Sequence, residues 1–343
     1  MNEAYHRFVL LSKQQREDVF EAAAEGLDTR STYIEKDFWV SLILDIFYNG
    51  LTQSEPRILF KGGTSLSKVY GLIQRFSEDV DFTIFSADLG FMGDRDPNSP
   101  EISKKKKQKL TQEVVETTAD YIGGRLKGEL EQAIGRLGVD CPISIDETDR
   151  STLLVRYPSL FTSDGYVQPT VKLEGGGRSA VDPHQKYVIE PLIANTLTDW
   201  NFSVPNVITI DAQRTFWDKV FILHGLYYGY RDENRIPADR QRLSRHYYDV
   251  AMIYNSPIGQ QAIENDLLRE KVRQHKLDFF NSAWMKFDLA MPGSLQVVPY
   301  GNLLKALERD YQAMQGMMLG EVPNFNELVE ILERLQSSIN NTQ

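Results

Sequence analysis

The spacing of apolar residues predicts two helices near the start of the chain. Ser12 to Gly26 has apolar positions at helical intervals, and its glycine is a typical helix end. Thr32 to Tyr48 is predicted as a second helix, with Thr32 and Glu35 at the spacing of a capping box. The charged run from Glu35 to Asp37 is expected to be solvated, because charged side chains are seldom fully buried.

In the next part of the chain, two short apolar runs flank a pair of glycines. Ile58 to Phe60 predicts a buried strand, and Gly62 and Gly63 allow a tight backbone turn. A helix is expected directly after this turn, with an apolar face made of Leu66, Val69, Tyr70 and Ile73. Val80 to Phe85 then predicts a second strand.

The rest of the pattern predicts more strands and then a helical half. A long helix is expected from Ser103 to Leu137, bent at its internal glycines. Strands are predicted at Val139–Glu147, Ser151–Tyr157, Tyr166–Leu173 and within Tyr187–Ile210. After these come a helix at Asp211–Gly225, a polar linker at Tyr227–Arg242, and helices at Leu243–Met252, Gln260–Ala283 and Gly301–Ile339. We therefore expect an α+β protein, with a mixed β-sheet flanked by helices in residues 1–210 and a helical C-terminal domain in residues 211–343.

Composition restricts the class of protein. The chain has 343 residues, 41% of them hydrophobic, which is enough for a sizeable core. Its formal net charge of -10 argues against a broadly basic surface but leaves room for a local basic patch. The single cysteine, Cys141, excludes a disulfide framework within the chain. With no signal-peptide pattern and no apolar stretch long enough to span a bilayer, a cytoplasmic location without membrane contact is expected.

Two carboxylates suggest the chemistry. Asp79 and Asp81 are two residues apart, so both side chains point to the same side of a strand. Such a pair beside a helix N-terminus can hold Mg²⁺, while helix amides and hydroxyls hold phosphate. A metal that bridges the two would support phosphoryl or nucleotidyl transfer. The ordinary alternatives are a simple turn and a solvated strand face.

The order of these features resembles the DNA polymerase-beta-like nucleotidyltransferase superfamily, which has a strand, a Gly-Gly or Gly-Ser turn, a helix, and Asp-x-Asp on the next strand. The run Lys61–Ser65 (Lys-Gly-Gly-Thr-Ser) followed by Arg75–Asp81 (Arg-Phe-Ser-Glu-Asp-Val-Asp) is more narrowly similar to the AbiEii/AbiGii nucleotidyltransferase toxin family. Ile34–Val40 also resembles the segment that commonly precedes the catalytic core in that family. The resemblance implies that residues 1–210 form a nucleotidyltransferase domain.

The resemblance also implies roles for residues in this first part of the chain. Asp79 and Asp81 would be catalytic and metal-binding, with Glu174 as a third carboxylate from a neighbouring strand. The residues expected to bind the nucleotide are Lys61, Gly62, Gly63, Thr64, Ser65, Lys68 and Arg75. The alternative for Glu174 is an exposed glutamate at a strand end.

Three more residues of the later helices match the family pattern. Lys219 follows an acidic residue, as in the family, and would act on the nucleotide phosphates. Arg245 and Asp249 match the family's Arg-Asp-x-x-Asp helix, although His246 stands where Asp is often found. The alternatives are a surface position for Lys219, and an Arg245–Asp249 pair, four residues apart, that only stabilises its own helix.

The family resemblance further implies the partners and the reaction. We expect a bacterial toxin that uses Mg²⁺, or Mn²⁺ in its place, to transfer a nucleoside monophosphate from an NTP, with the 3′ end of tRNA as acceptor and an antitoxin encoded alongside. The residues that would form a basic face for RNA are Lys104 to Lys107, Arg231, Arg235, Arg240 and Arg242. Taken by itself, the run of lysines is more typical of a solvated helix start. An antibiotic-modifying nucleotidyltransferase and a catalytically silent binding protein are the alternatives.

Overall fold

The computed structural model of the chain forms two compact units. One consists of Met1–Val69 with Ser77–Ile210, and the other of Tyr70–Phe76 with Asp211–Gln343. The residues that the structure describes are 1–52, 55–162, 167–237, 242–280 and 282–341. Tyr166, the predicted start of a strand, and Arg240 of the predicted basic face lie outside them.

The first unit contains a mixed β-sheet, as the sequence predicted. Within the described residues its seven strands are β1 Ile58–Lys61, β2 Val80–Ile84, β3 Ile143–Ile145, β4 Thr152–Arg156, β5 Thr170–Glu174, β6 His184–Ile189 and β7 Val204–Ile210. They lie in the order β3-β4-β5-β2-β1-β7-β6. The pairs β1–β7 and β2–β5 are parallel, and the other neighbours are antiparallel.

Helices surround this sheet. Their bounds are α1 Glu3–Val9, α2 Lys13–Gly26, α3 Ser31–Asp45, α4 Gly62–Lys68, α5 Lys104–Tyr121 and α6 Lys127–Gly135. The predicted helix after the glycine turn is shorter than expected: α4 ends at Lys68, and from Tyr70 the chain belongs to the second unit. The long predicted helix is interrupted as its glycines suggested, since a wider π-helical turn at Ile122–Leu126 separates α5 from α6.

Helix α3 lies inside the first unit and differs from the prediction in its polar residues. Every residue from Tyr33 to Asp45 is buried, including the charged run that was expected to be solvated. The predicted capping box is also wrong: Glu35 accepts hydrogen bonds from the Ser159 hydroxyl (2.6 Å) and the Leu160 amide (2.8 Å). A helix with apolar residues on all sides is surrounded by protein, so its charged side chains must find partners there.

The second unit is helical, as predicted, with its own boundaries. Its helices are α7 Ala212–Glu233, α8 Ser244–Tyr254, α9 Pro257–Glu264, α10 Asp266–Phe279, α11 Gly301–Met314 and α12 Phe325–Asn340. The predicted end at Gly225 is wrong, because helix α7 continues through this residue. The glycine instead leaves space for the Met285 side chain, which packs where a Cβ would lie. It ends instead at Asn234, which adopts the left-handed conformation (φ 49°).

Among the described residues, no helix is both long enough and apolar enough to span a membrane.

Asp211 begins α7 as predicted, since its carboxylate accepts a hydrogen bond from the Gln213 amide at 2.7 Å. We expect Asp211→Ala to lower the free energy of unfolding by about 1 kcal/mol, because an amide at the helix start loses its acceptor. Asp211→Asn keeps an acceptor and should lose much less. Urea denaturation of the two variants measures the difference, and equal losses would contradict the capping role.

Candidate active site

The glycine turn and one of the two aspartates are in direct contact. Strand β1 ends at Lys61, which pairs with Asp81 on β2, and the chain turns at Gly62 with a φ of 80°. A Cβ on Gly62 would lie 2.0 Å from the Asp81 carboxylate oxygen Oδ2, closer than any two such atoms can approach. The turn therefore requires glycine at position 62 for two reasons: its backbone conformation, and the space that Asp81 occupies.

The two hydroxyls after the glycines bond to the turn itself. Ser65 donates to the carbonyl of Gly62 at 2.9 Å. Thr64 is within hydrogen-bonding distance of the Ser77 hydroxyl and donates to the carbonyl of Asp79. These bonds connect the start of α4 to the segment that leads into β2. Both side chains are buried, so in this structure the hydroxyls hold the turn to the aspartate segment.

The structure places the three predicted carboxylates at one end of adjacent strands. Asp79 directly precedes β2, and Asp81 pairs in parallel register with Glu174 on β5. All three residues are partly exposed to solvent, while Val80 between the aspartates is fully buried. Glu174 forms an ion pair with Lys172 at 2.5 Å. The alternation of the strand thus brings both aspartates to an accessible position, as their spacing predicted.

The electrostatic environment of Asp79 is strongly negative. The pKa of its carboxyl is raised to about 6, chiefly by burial and then by the negative charges of Glu78, Glu174 and Asp81, while Lys36 acts to lower it. Carboxylates that repel one another are stabilised when a cation binds between them. The donors are hard oxygen atoms, which is the ligand type that Mg²⁺ prefers.

The arrangement fits a metal that the protein shares with its substrate. Within the described parts of the chain, no three His, Cys, Asp or Glu side chains are placed to hold a metal ion on their own. Mg²⁺ is usually bound by one or two carboxylates together with substrate phosphates and water, and seldom by a cage made of protein alone. Asp79 and Asp81 supply the two carboxylates that such a site needs.

Two buried ion pairs connect α3 to the elements of this site. Lys36 binds Glu78 at 2.8 Å, and Asp37 binds Lys68 at 2.6 Å. Sequence reasoning missed Glu78 and the partners of α3, although one signal was present: charged residues in a helix whose other faces are apolar must be buried. Lys68, predicted to bind the nucleotide, is here largely buried against Asp37.

The second unit holds a separate cluster made of its predicted residues. Both oxygens of Asp249 bind the Arg75 guanidinium at 2.8 Å, and Lys219 lies 3.0 Å from Oδ2. Burial alone would raise the pKa of Asp249, but Arg75 and Lys219 lower it well below its ordinary value. The helix spacing suggested Arg245 as the partner, and the structure gives Asp249 these two cations.

His246, which stands where the family often has Asp, lies beside the same cations. Its Nδ1 is 3.4 Å from the Lys219 ammonium. The pKa of this imidazole is lowered to about 3, chiefly by burial and in part by the charge of Lys219, while Asp249 acts to raise it. At neutral pH the ring is therefore uncharged, and Asp249 carries the negative charge of the cluster. Arg245 contacts the sulfur of Met317 at 2.9 Å.

Comparison with known proteins identifies a family for most of the chain. A sequence model of the family described as "Nucleotidyl transferase AbiEii toxin, Type IV TA system" matches residues 46–334. Among solved structures, the chain is similar to MenT4, a nucleotidyltransferase toxin from Mycobacterium tuberculosis H37Rv. The identity is 17%, the match covers 94% of this chain and 97% of that one, and the TM-score is 0.43. A search of curated proteins found no match.

We expect Gly62→Ala to destabilise the protein more than Gly90→Ala does. Both glycines have positive φ, but only at Gly62 would the new methyl group collide with a carboxylate, since nothing lies within 4 Å of the position at Gly90. The backbone strain should cost about 1 kcal/mol in both, and the collision a further ~1–3 kcal/mol at Gly62. Urea denaturation measures both losses, and equal values would show that Asp81 moves aside freely.

The lowered pKa of His246 predicts a pH dependence of stability. Because the folded-state pKa is about 3, below the unfolded value of 6.5, the unfolded chain binds the proton first as the pH falls. Stability should therefore be complete above pH 6.5 and decrease below it, by up to about 1.4 kcal/mol per pH unit. His246→Gln should lack this slope. The free energy of unfolding is measured for wild type and variant between pH 6.5 and 4.5. If it changes equally with pH in both proteins, the folded imidazole takes up the proton and the prediction is wrong.

Proposed function

We propose that this chain, which belongs to the AbiEii nucleotidyl transferase toxin family of type IV toxin–antitoxin systems, transfers a nucleoside monophosphate from an NTP to the 3′ end of an RNA. The observation that supports this most directly is the contact between Gly62 and Asp81, with Asp79 and Glu174 at the same sheet end. A glycine turn that meets carboxylates there suits a triphosphate with its cation.

In the proposed reaction, the acceptor hydroxyl oxygen forms a bond to the α-phosphorus and loses its proton, and pyrophosphate leaves. Asp79 and Asp81 would hold Mg²⁺ beside the α-phosphate, with Mn²⁺ as a substitute. Glu174, the predicted third carboxylate, lies at the same sheet end but is ion-paired with Lys172, so it would join the metal only after leaving that lysine. Bound Mg²⁺ supplies positive charge and lowers the pKa of the attacking hydroxyl. The amides at Gly63 to Ser65 would bind the phosphates. Lys219, Arg75, Arg245 and Asp249 remain predictions for the nucleotide-binding residues of the second unit.

We propose tRNA as the RNA that accepts the nucleotide. In the first unit, Lys104, Lys105 and Lys106 are exposed at the start of α5, where cations near a helix N-terminus are unfavourable unless an anion neutralises them. Phosphates of RNA would do so. In the second unit, the charges of Arg231 and Arg235 are offset by the neighbouring acids Asp232 and Glu233. The lysines are therefore the stronger part of the predicted basic face.

The toxin–antitoxin class of the family supports a cognate antitoxin that is encoded with this chain. We propose that this antitoxin limits the transfer reaction in the cell. Co-expression of the neighbouring gene should restore growth to cells in which the active chain stops growth.

The reaction is tested with each labelled NTP in turn, Mg²⁺, and total RNA or an aminoglycoside as acceptor. We expect label on RNA of tRNA size and none on the drug, and a loss of activity with EDTA that Mn²⁺ reverses. Asp81→Asn, which keeps the shape and removes the charge, should lower the rate at least about a hundredfold. Asp94→Asn, at an exposed carboxylate, is the matched control and should keep the rate. Label on the aminoglycoside, or equal rates for the two variants, would contradict the proposal.

A further inference from the structure

Helix α3 carries adjacent opposite charges into the interior of the first unit. Lys36 and Asp37 are buried there among residues such as Ile34, Phe38 and Trp39. Burial of a charged group is costly unless a partner compensates it. Each of these two residues has such a partner, and the two partners lie in different elements of the candidate active site.

Lys36 holds the segment that leads into β2. Its ammonium donates to Glu78 Oε2 at 2.8 Å and to the carbonyl of Gln168 at 3.2 Å. The side chains of Lys36 and Glu78 are only 3% and 4% exposed, so water does not screen the pair. Glu78 is directly followed by Asp79, and a shift of Glu78 would therefore move the backbone that carries the aspartate.

Asp37 holds the other element, helix α4. Its Oδ1 binds the Lys68 ammonium at 2.6 Å, and its Oδ2 accepts a hydrogen bond from the Leu192 amide at 2.7 Å. Lys68 is the last residue of α4, a helix of 7 residues that begins at Gly62. Both ends of this short helix are thus fixed, one by Asp37 and the other by the contact with Asp81.

We propose that Lys36 and Asp37 are positioning residues that hold the Asp79 segment and the glycine-turn helix in register for nucleotidyl transfer. This inference rests on the function proposed above. Neither residue touches the substrate; Lys36 acts through Glu78, and Asp37 acts through Lys68.

A contribution to stability alone does not account for these pairs. A buried ion pair is weak evidence for stability, because two apolar side chains of similar volume often replace it without loss. The pair does give direction, since an ammonium and a carboxylate fix the distance and angle between their elements. Stability and positioning can therefore be separated by replacing both partners at once.

The test compares wild type, Lys36→Met/Glu78→Met and a matched control. Lys36→Met alone would remove the ammonium from the buried Glu78 carboxylate, which should lower the thermal midpoint strongly and would mix stability with positioning. The double variant should keep the thermal midpoint within a few degrees and the KM for NTP within about threefold, but lower kcat about a hundredfold, because a displacement of about 1 Å has that effect. Arg57→Gln/Asp88→Asn removes an ion pair at the opposite end of β1 and should keep kcat.

A second measurement does not depend on turnover. Mn²⁺ alone is titrated into each protein, and the free ion is followed by electron paramagnetic resonance. The double variant should bind Mn²⁺ about tenfold more weakly than wild type, because groups that orient metal-binding carboxylates affect affinity by about that factor. Lys36→Arg, which keeps a cation near Glu78, should recover most of both properties.

The outcomes separate the two proposals. A double variant that folds and shows wild-type kcat and wild-type Mn²⁺ affinity overturns the positioning role, while the proposed function stands on the activity of the wild type. A wild type that labels no acceptor refutes the proposed function, and the Mn²⁺ titration still decides whether Lys36 and Glu78 position the carboxylates.

Discussion

The contact between the Gly62 backbone and the Asp81 carboxylate is the constraint on which the site depends. It exists because β1 and β2 pair with Lys61 opposite Asp81, which places the aspartate beside the turn that follows β1. A shift of the register by one residue would turn Asp81 to the other face of the sheet. The left-handed backbone at Gly62 and the absence of a Cβ then allow the carboxylate to pack against the turn.

Around this contact the protein brings together three carboxylates, and only part of their negative charge is offset by lysines. Asp79, Asp81 and Glu174 lie at the accessible ends of neighbouring strands. Lys36 is buried and offsets only part of their charge at Asp79. The remaining imbalance favours a bound cation, and through it an anionic substrate. A site of this kind is compatible with the net charge of -10, because an anion that is held through a cation does not need a broadly basic surface.

In the second unit, buried charges of opposite sign compensate one another. One aspartate, Asp249, compensates both Arg75 and Lys219 while fully buried. His246 adds no charge of its own, because the neighbouring cations and burial keep its imidazole neutral. A neutral His246 therefore leaves the cluster one unit of charge more positive than an ionised aspartate at this position would.

The sequence alone determined the features that depend on residues close together in the chain. These are the glycine turn, the alternation that points Asp79 and Asp81 to the same side, the strands, and most helices. It failed at Gly225, because the glycine leaves room for the Met285 side chain, which comes from a distant part of the chain, and does not mark a helix end. It failed at Glu35 to Asp37 for the same reason, since their partners come from other elements. Only the tertiary structure joined Arg75 to Asp249, because periodicity reports which face a residue occupies and cannot report what packs against that face.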